Sequence, residues 1–409
     1  MKRRRFIQSA LGASFLAGLP VTLVRSAVTQ GHPPSRLIVL LLRGGIDGLN
    51  VVVPYQESDY HAGRPTIGLA PPEEEGVLDL DGRFGLHPAL DMLMPFWQQK
   101  KLAFVHACGS PDPTRSHFDA QDYIESGVPG DKTITDGWMN RLVGQLPEPE
   151  SPIKAVNVGV TLPRILQGAK SVATVGLTPA NIKPTNIDLP GVLEFFAGLY
   201  DEDAALKKAY DEGVSSHRRV RADLDKEMQA ADKDAVAPAG FAGQAHELGR
   251  LIDTDSQIRL AFLSVGGWDT HVNQGAETGQ LANKLEALGK GLVQLTEGLR
   301  ESFSHTVIIM LSEFGRTARE NGNGGTDHGH GNVVWLLGGA VNGGRVLGQW
   351  PGLVPGQLYE GRDLAVTTDF RGVASAVLQQ HLKLAPEALK TIFPGFENSD
   401  SLPRLIRPA

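Results

Sequence analysis

Six consecutive aliphatic residues, Leu37 to Leu42, constrain the fold of this chain more than any other stretch. A run without polar alternation suits a strand buried on both faces, which belongs in a parallel sheet covered by helices rather than in a sheet with one wet face. Largely apolar runs recur at Leu102 to Ala107, Ile258 to Val265, Thr306 to Leu311 and Val333 to Leu337. Helical patterns lie between them. The clearest is Leu281, Leu285, Leu288, Leu292, Leu295 and Leu299, one apolar stripe at steps of four and three. Strands alternating with helices over nearly the whole length predict an α/β fold, a three-layer α/β/α sandwich with a mostly parallel sheet. With 409 residues and 41% hydrophobic content, the chain can bury a core of that size.

The first residues read differently. Lys2, Arg3, Arg4 and Arg5 precede a moderately apolar stretch rich in Gly and Ala, and small residues follow at Ser26 and Ala27. This is the pattern of a signal peptide, residues 1–26, with the paired arginines of the twin-arginine route, so the protein is expected to be periplasmic or otherwise exported. The translocase would be its partner during export, and no stable membrane anchor would remain after cleavage. Residues 27–409 are expected to form one domain with a charged helical insertion around 200–240. Cleavage removes five basic residues and no acidic one, moving the formal charge from -7 to -12. An acidic mature protein without basic, aromatic-interleaved runs excludes nucleic acid as a partner. Cys108 is the single cysteine, so no intrachain disulfide can form.

Chemistry-bearing residues gather where the apolar runs end. Asp47 follows the first run within Arg43-Gly44-Gly45-Ile46-Asp47-Gly48, and ligands in open α/β sheets collect at such carboxyl ends. Ser116 opens a helix that closes at Gly127, and His117 follows it. Serine is a favoured N-cap, but a helix start also offers N–H groups to an anion, which suits a nucleophile for phosphoryl or sulfuryl transfer. Asp269 and His271 are two residues apart after the run ending at Val265, a spacing that turns both to one face of extended chain. Finally, residues 312–331 place Glu313, Arg316, Asp327, His328 and His330 in one glycine-rich loop. Carboxylates and imidazoles on tightly bending backbone suit a divalent cation, zinc or manganese rather than calcium, which prefers oxygen-only sites.

The phrases LLRGGIDGLN, SHFDAQDYIESG, GGWDTHVNQ and SEFGRT with NGNGGTDHGHG resemble a bacterial family of twin-arginine-exported, sulfatase-like proteins, the domain of unknown function fifteen-oh-one. Through it the chain looks like the alkaline phosphatase and sulfatase superfamily. The resemblance implies an alkaline-phosphatase-like fold in which Asp47, Asp269, His271, Glu313, Asp327, His328 and His330 hold one or two divalent ions. It also implies Ser116 as the metal-activated nucleophile, with Arg316 or Arg43 neutralising the oxygens of a small anionic ester. Glu313-Phe314 stands where the superfamily places Asp-His, and the sulfatase signature Cys/Ser-x-Pro-Ser-Arg is absent. The expected activity is hydrolysis of phosphate or sulfate esters. The competing class is a non-catalytic periplasmic binding or envelope-assembly protein that keeps the fold, with a structural metal or with none.

Overall fold

The aliphatic run becomes strand β1 (Arg36–Leu42), and all seven of its residues are buried. In the computed structural model β1 lies near the middle of the main sheet; residues 33–147, 154–159, 161–175, 232, 235–397 and 402–408 are described. The expected signal peptide and nearly all of the expected 200–240 insertion lie outside these residues. The other strands of this sheet are β2 (Leu102–Gly109), β3 (Ala155–Val158), β4 (Ala173–Val175), β5 (Leu260–Val265), β6 (Thr306–Leu311), β7 (Asn332–Leu337), β8 (Arg345–Leu347) and β9 (Thr368–Asp369). They pair in the order β8-β2-β7-β6-β1-β5-β3-β4, and β9 pairs with the end of β2.

Only β7 runs against its neighbours, antiparallel to both β2 and β6. The remaining pairs are parallel, with Leu37 opposite Leu260 on one side and Val307 on the other. Helices cover both faces, as the unbroken aliphatic run requires. The even residues Ile38, Leu40 and Leu42 pack with helices α3 (Pro238–Thr254) and α4 (Gln280–Leu299), including the whole leucine stripe of α4. The odd residues Leu37, Val39 and Leu41 pack with α2 (Trp138–Val143), α5 (Phe370–His381) and α6 (Pro386–Ile392). The fold is thus an α/β sandwich with a mostly parallel sheet. Helix α1 (His117–Ser126) follows β2, with Ser116 at its N-cap and Gly127 closing it at φ 71°.

Three histidines far apart in sequence are buried as neutral rings. His87, His106 and His381 point Nε2 at the carbonyls of Ala276 (3.0 Å), Val52 (2.8 Å) and Arg36 (2.9 Å). Burial pushes each pKa down to about 4. Their folded values lie below the ordinary one, so the unfolded chain takes up these protons first. Stability should be complete above about pH 6.5 and fall as the pH approaches 4, by roughly 2–3 kcal/mol for each ring. Urea midpoints measured between pH 7.5 and 4.5 should decline mainly below 6.5; a flat profile would contradict this assignment.

Candidate metal centre

Strands β1, β2, β5 and β6 point the same way, so the segments that leave them meet at one edge of the sheet. The glycine-rich loop remains at that edge. Because β7 runs antiparallel beside β6, the chain returns without a crossover helix. It folds on itself, with Gly315 N–H donating to His330 O (2.9 Å) and Gly329 N–H to Gly315 O (2.8 Å). A Cβ on Gly315 would lie 1.9 Å from Gly331 O, which explains the glycine there.

At the centre of this edge is the Asp269 carboxylate, 4% exposed. Its Oδ1 lies 2.8 Å from His271 Nε2 and 3.2 Å from His328 Nε2, while Oδ2 lies 3.6 Å from His117 Nε2. The Nε2 atoms of His271 and His328 are 3.0 Å apart. His117, Asp269 and His328 offer ligand atoms within 4.8 Å of one another, the one such cluster found among the described residues.

The other nitrogen of each ring is held from behind. His117 Nδ1 lies 2.8 Å from Glu313 Oε1, His328 Nδ1 2.8 Å from the Arg115 carbonyl, and His271 Nδ1 3.4 Å from Asp327 Oδ1. Carbonyls and ionised carboxylates only accept, so each Nδ1 is a protonated nitrogen, and each Nε2 is turned toward the cluster, where a bound cation would take its lone pair. Without a cation, Nε2 atoms this close to one carboxylate are accommodated by protons shared toward it, and a divalent cation would take the place of those protons. Two of these buried atoms, His117 Nε2 and Asp269 Oδ2, also lack a hydrogen-bond partner among the described residues. A divalent cation would satisfy both, and backing of ligand histidines by carboxylate or carbonyl is the usual support of metal-binding imidazoles.

The charges respond accordingly. Burial favours neutral His117, yet the carboxylates of Asp269 and Glu313 hold its pKa up at about 9. Burial would likewise raise Asp269, but His117, His271, His328 and Arg316 keep it far below the usual carboxylate range. Glu313 is pulled down to about 2 against its burial, chiefly by His117 and Gln121.

Of the residues singled out in the sequence, Asp269, His271 and His328 come together here. Glu313 stands one step back, because both its oxygens are engaged: Oε1 accepts from Gly44 N, His117 Nδ1 and Gln121 Nε2, and Oε2 from Ser312 Oγ. Asp327 likewise backs His271, and its side chain is 53% exposed. Asp47 lies outside the cluster: its Oδ2 accepts from Arg64 Nη1 (2.6 Å) and Gln274 Nε2 (2.7 Å), with both side chains of the Asp47–Arg64 pair wholly buried. His330 is also elsewhere, with Nε2 3.0 Å from Ser110 O and its ring against Tyr359.

Arg316 is buried and committed within the protein. Its guanidinium donates to the carbonyls of Gly44, Gly45, Trp268 and Thr326 and to Asp269 Oδ1. Ser116 is exposed, and its side chain makes no capping bond. The residue that sequence reasoning left in its shadow is His117, with Gln121 and Glu125 behind it. A signal existed: positions 117, 121 and 125 lie four apart on one helix face. Phe314 packs on the His117 and His328 rings at 4.7 and 4.8 Å, so an apolar ring occupies ground beside the cluster.

Along the same face of α1, Gln121 and Glu125 line a cleft of about 450 Å³ together with Arg43 and Asn157. Phe118, 81% exposed, and Leu162 add apolar surface to it.

These features define an α/β protein with a carboxylate–imidazole cluster at the carboxyl edge of its sheet. The chain belongs to the family described as Protein of unknown function (DUF1501), which matches residues 97–393. No curated protein matches the sequence. Similar solved structures include the C-terminal periplasmic domain of EptC from Escherichia coli in complex with Zn, at 9% identity over 75% of this chain and 73% of that one, TM-score 0.36. A protein in the alkaline phosphatase superfamily from Vibrio parahaemolyticus matches at 10% identity over 75% of this chain, which spans 60% of that protein, TM-score 0.36. The lipoteichoic acid synthase LtaP from Listeria monocytogenes matches at 11% identity over 74% of this chain and 65% of that one, TM-score 0.29.

Proposed function

We propose that this protein is an exported, metal-dependent hydrolase of phosphate or sulfate esters, with one divalent ion held by His117, Asp269, His271 and His328. The observation that supports it is the convergence of three Nε2 atoms on one carboxylate with every Nδ1 anchored. Three nitrogens and one oxygen form a borderline donor set that suits zinc first and manganese next. A single ion is favoured because Phe314 supplies no donor where a second pair of ligands would be expected. Export rests on the basic and then apolar first residues; among the described residues no helix is long and apolar enough to cross a membrane.

When bound, the ion would polarise an ester oxygen and make a neighbouring hydroxyl easier to deprotonate. Ser116 would be the attacking group, since it lies in sequence between Arg115, whose carbonyl holds His328, and His117. Its Oγ would form the new bond to phosphorus or sulfur as the bond to the alcohol oxygen breaks, and water would later cleave the serine ester. The first N–H groups of α1 offer partial positive charge to the developing oxyanion. Arg316 would instead fix Asp269, since its donors are spent within the protein. The cleft beside α1 would take the alcohol portion of the ester.

That same commitment of Arg316 favours a second reading, a non-catalytic protein whose four protein donors close the coordination of a structural zinc. Metal analysis of the purified mature protein, followed by a screen of phosphate monoesters, phosphate diesters and sulfate esters, separates the two. The expected result is about one zinc per chain, and hydrolysis that Ser116→Ala abolishes while zinc is retained. Zinc with every ester inert supports the second reading, and a metal-free protein that takes up no added zinc, manganese or calcium overturns both.

A further inference from the structure

The His328 ring is oriented by a main-chain carbonyl, that of Arg115, at 2.8 Å. A carbonyl in the turn before a helix is only as fixed as the turn, so what holds residue 115 decides where His328 Nε2 points. The Arg115 side chain reaches a segment 248 residues away. Its Nε and Nη2 both donate to Asp363 Oδ2, at 2.9 and 2.6 Å, and Nη2 also donates to Glu360 Oε2 at 2.7 Å. The Asp363 side chain is wholly buried, whereas that of Glu360 is 55% exposed, so the two contacts differ in kind.

Asp363 is itself fixed by backbone. It exchanges hydrogen bonds with Tyr359 (2.8 and 3.0 Å) and forms a bridge with Thr317. Next to it, Arg362 O accepts from Ala318 N–H at 3.1 Å, and Leu364 O accepts from Gly331 N–H at 2.7 Å. Residues 359–364 therefore form a strap that grips both limbs of the 312–331 loop and, through Arg115, the entry to α1. One limb carries Arg316, which bonds Asp269, the other carries His328, and α1 begins with His117.

We infer that Arg115, anchored by Asp363, is a positioning residue of the metal centre: it locks the turn whose carbonyl keeps His328 Nδ1 protonated and Nε2 turned toward Asp269. This rests on the proposed metal centre and adds a residue that would touch neither metal nor substrate. It also explains a buried carboxylate that the ligand cluster does not use. Orienting groups of this kind typically change metal affinity 10- to 100-fold when lost.

The test compares zinc binding, by competition with a chromophoric chelator, in the full mature protein and in Arg115→Ala. The affinity of Arg115→Ala should fall about 10- to 100-fold. Arg115→Lys, which keeps the charge opposite Asp363 but loses the two-nitrogen grip, should recover part of the loss. Glu360→Gln should stay within about twofold, because an exposed ion pair contributes little. A second readout needs no metal: ¹⁵N spectra of histidine-labelled protein should show His328 protonated at Nδ1 in the wild type and mixed between tautomers in Arg115→Ala. Wild-type zinc affinity and an unchanged His328 tautomer in folded Arg115→Ala overturn the inference. If Arg115→Ala does not fold, Arg115→Lys carries the same comparison, and wild-type affinity there overturns it too. Failure of the wild type to bind zinc would strike the metal centre itself and this inference with it, a result distinct from failure in the variants alone.

Discussion

Asp269→Asn is expected to abolish measurable zinc binding at micromolar metal and to destabilise the metal-free protein by about 3–5 kcal/mol. Both effects follow from one carboxylate. In the proposed metal centre Asp269 would supply the one anionic donor beside three imidazoles, so the substitution would remove the charge that draws a dication into the cluster. In the fold, Asp269 Oδ1 accepts from Arg316 Nη2 at 2.5 Å, and the Arg316 side chain is wholly buried. Its other acceptors are carbonyls, which solvate a guanidinium without neutralising it. Asparagine keeps the shape and leaves that cation buried without an ion-pair partner. Chelator competition reads the first effect and urea unfolding in EDTA the second. Glu313→Gln provides the contrast: it still offers an oxygen to His117 Nδ1, so zinc affinity should fall about 10- to 100-fold rather than vanish. An Asp269→Asn protein that binds zinc as tightly as Glu313→Gln would show that Asp269 is not the anionic ligand.

The architecture was legible in the sequence because the central strands β1, β2, β5, β6 and β7 are largely apolar runs, whereas the short edge strands β4, β8 and β9 carry no such signal. The leucine stripe of α4 fixed its buried face at the correct register. The edge carrying the chemistry was legible for the same reason, since residues after parallel strands meet. Individual roles were less so. Glu313 and Asp269 are both carboxylates just beyond strands, and what separates the proposed ligand from its buttress is which nitrogen of His117 each faces, Nε2 for Asp269 and Nδ1 for Glu313, 196 residues away from it. Local sequence carries no trace of that arrangement. His117 was hidden for another reason: Ser116 beside it satisfies a familiar helix-start pattern, and the row at 117, 121 and 125 matters only once the helix has a buried face. Arg115 and Arg64 gave no signal, because a single arginine in a loop is ordinarily solvated, and only the buried Asp363 and Asp47 make these two exceptional.

Arg64→Met carries the other large effect, a loss of about 3–5 kcal/mol. The Arg64 guanidinium donates to Asp47 Oδ2 (2.6 Å), Asn50 Oδ1 (2.7 Å), Thr317 O (2.8 Å) and Ala318 O (3.0 Å), all without exposure to solvent. It thereby ties the first strand end to the segment behind Arg316. Methionine fills similar volume but leaves the Asp47 carboxylate buried with Gln274 as the donor that remains among the described residues, where Asp47 Oδ1 already has no hydrogen-bond partner. Removing both charges in Asp47→Asn/Arg64→Met should cost less than the sum of the single losses, because no unpaired charge then stays inside. The same series weighs Asp47 as a metal ligand against Asp47 as a structural anion. The geometry calls for Asp47→Asn to lower the urea midpoint while zinc affinity stays within a few-fold of the wild type. A folded Asp47→Asn protein that cannot bind zinc would instead make Asp47 a ligand and require the loop around Asp47 to move toward Asp269 when metal enters.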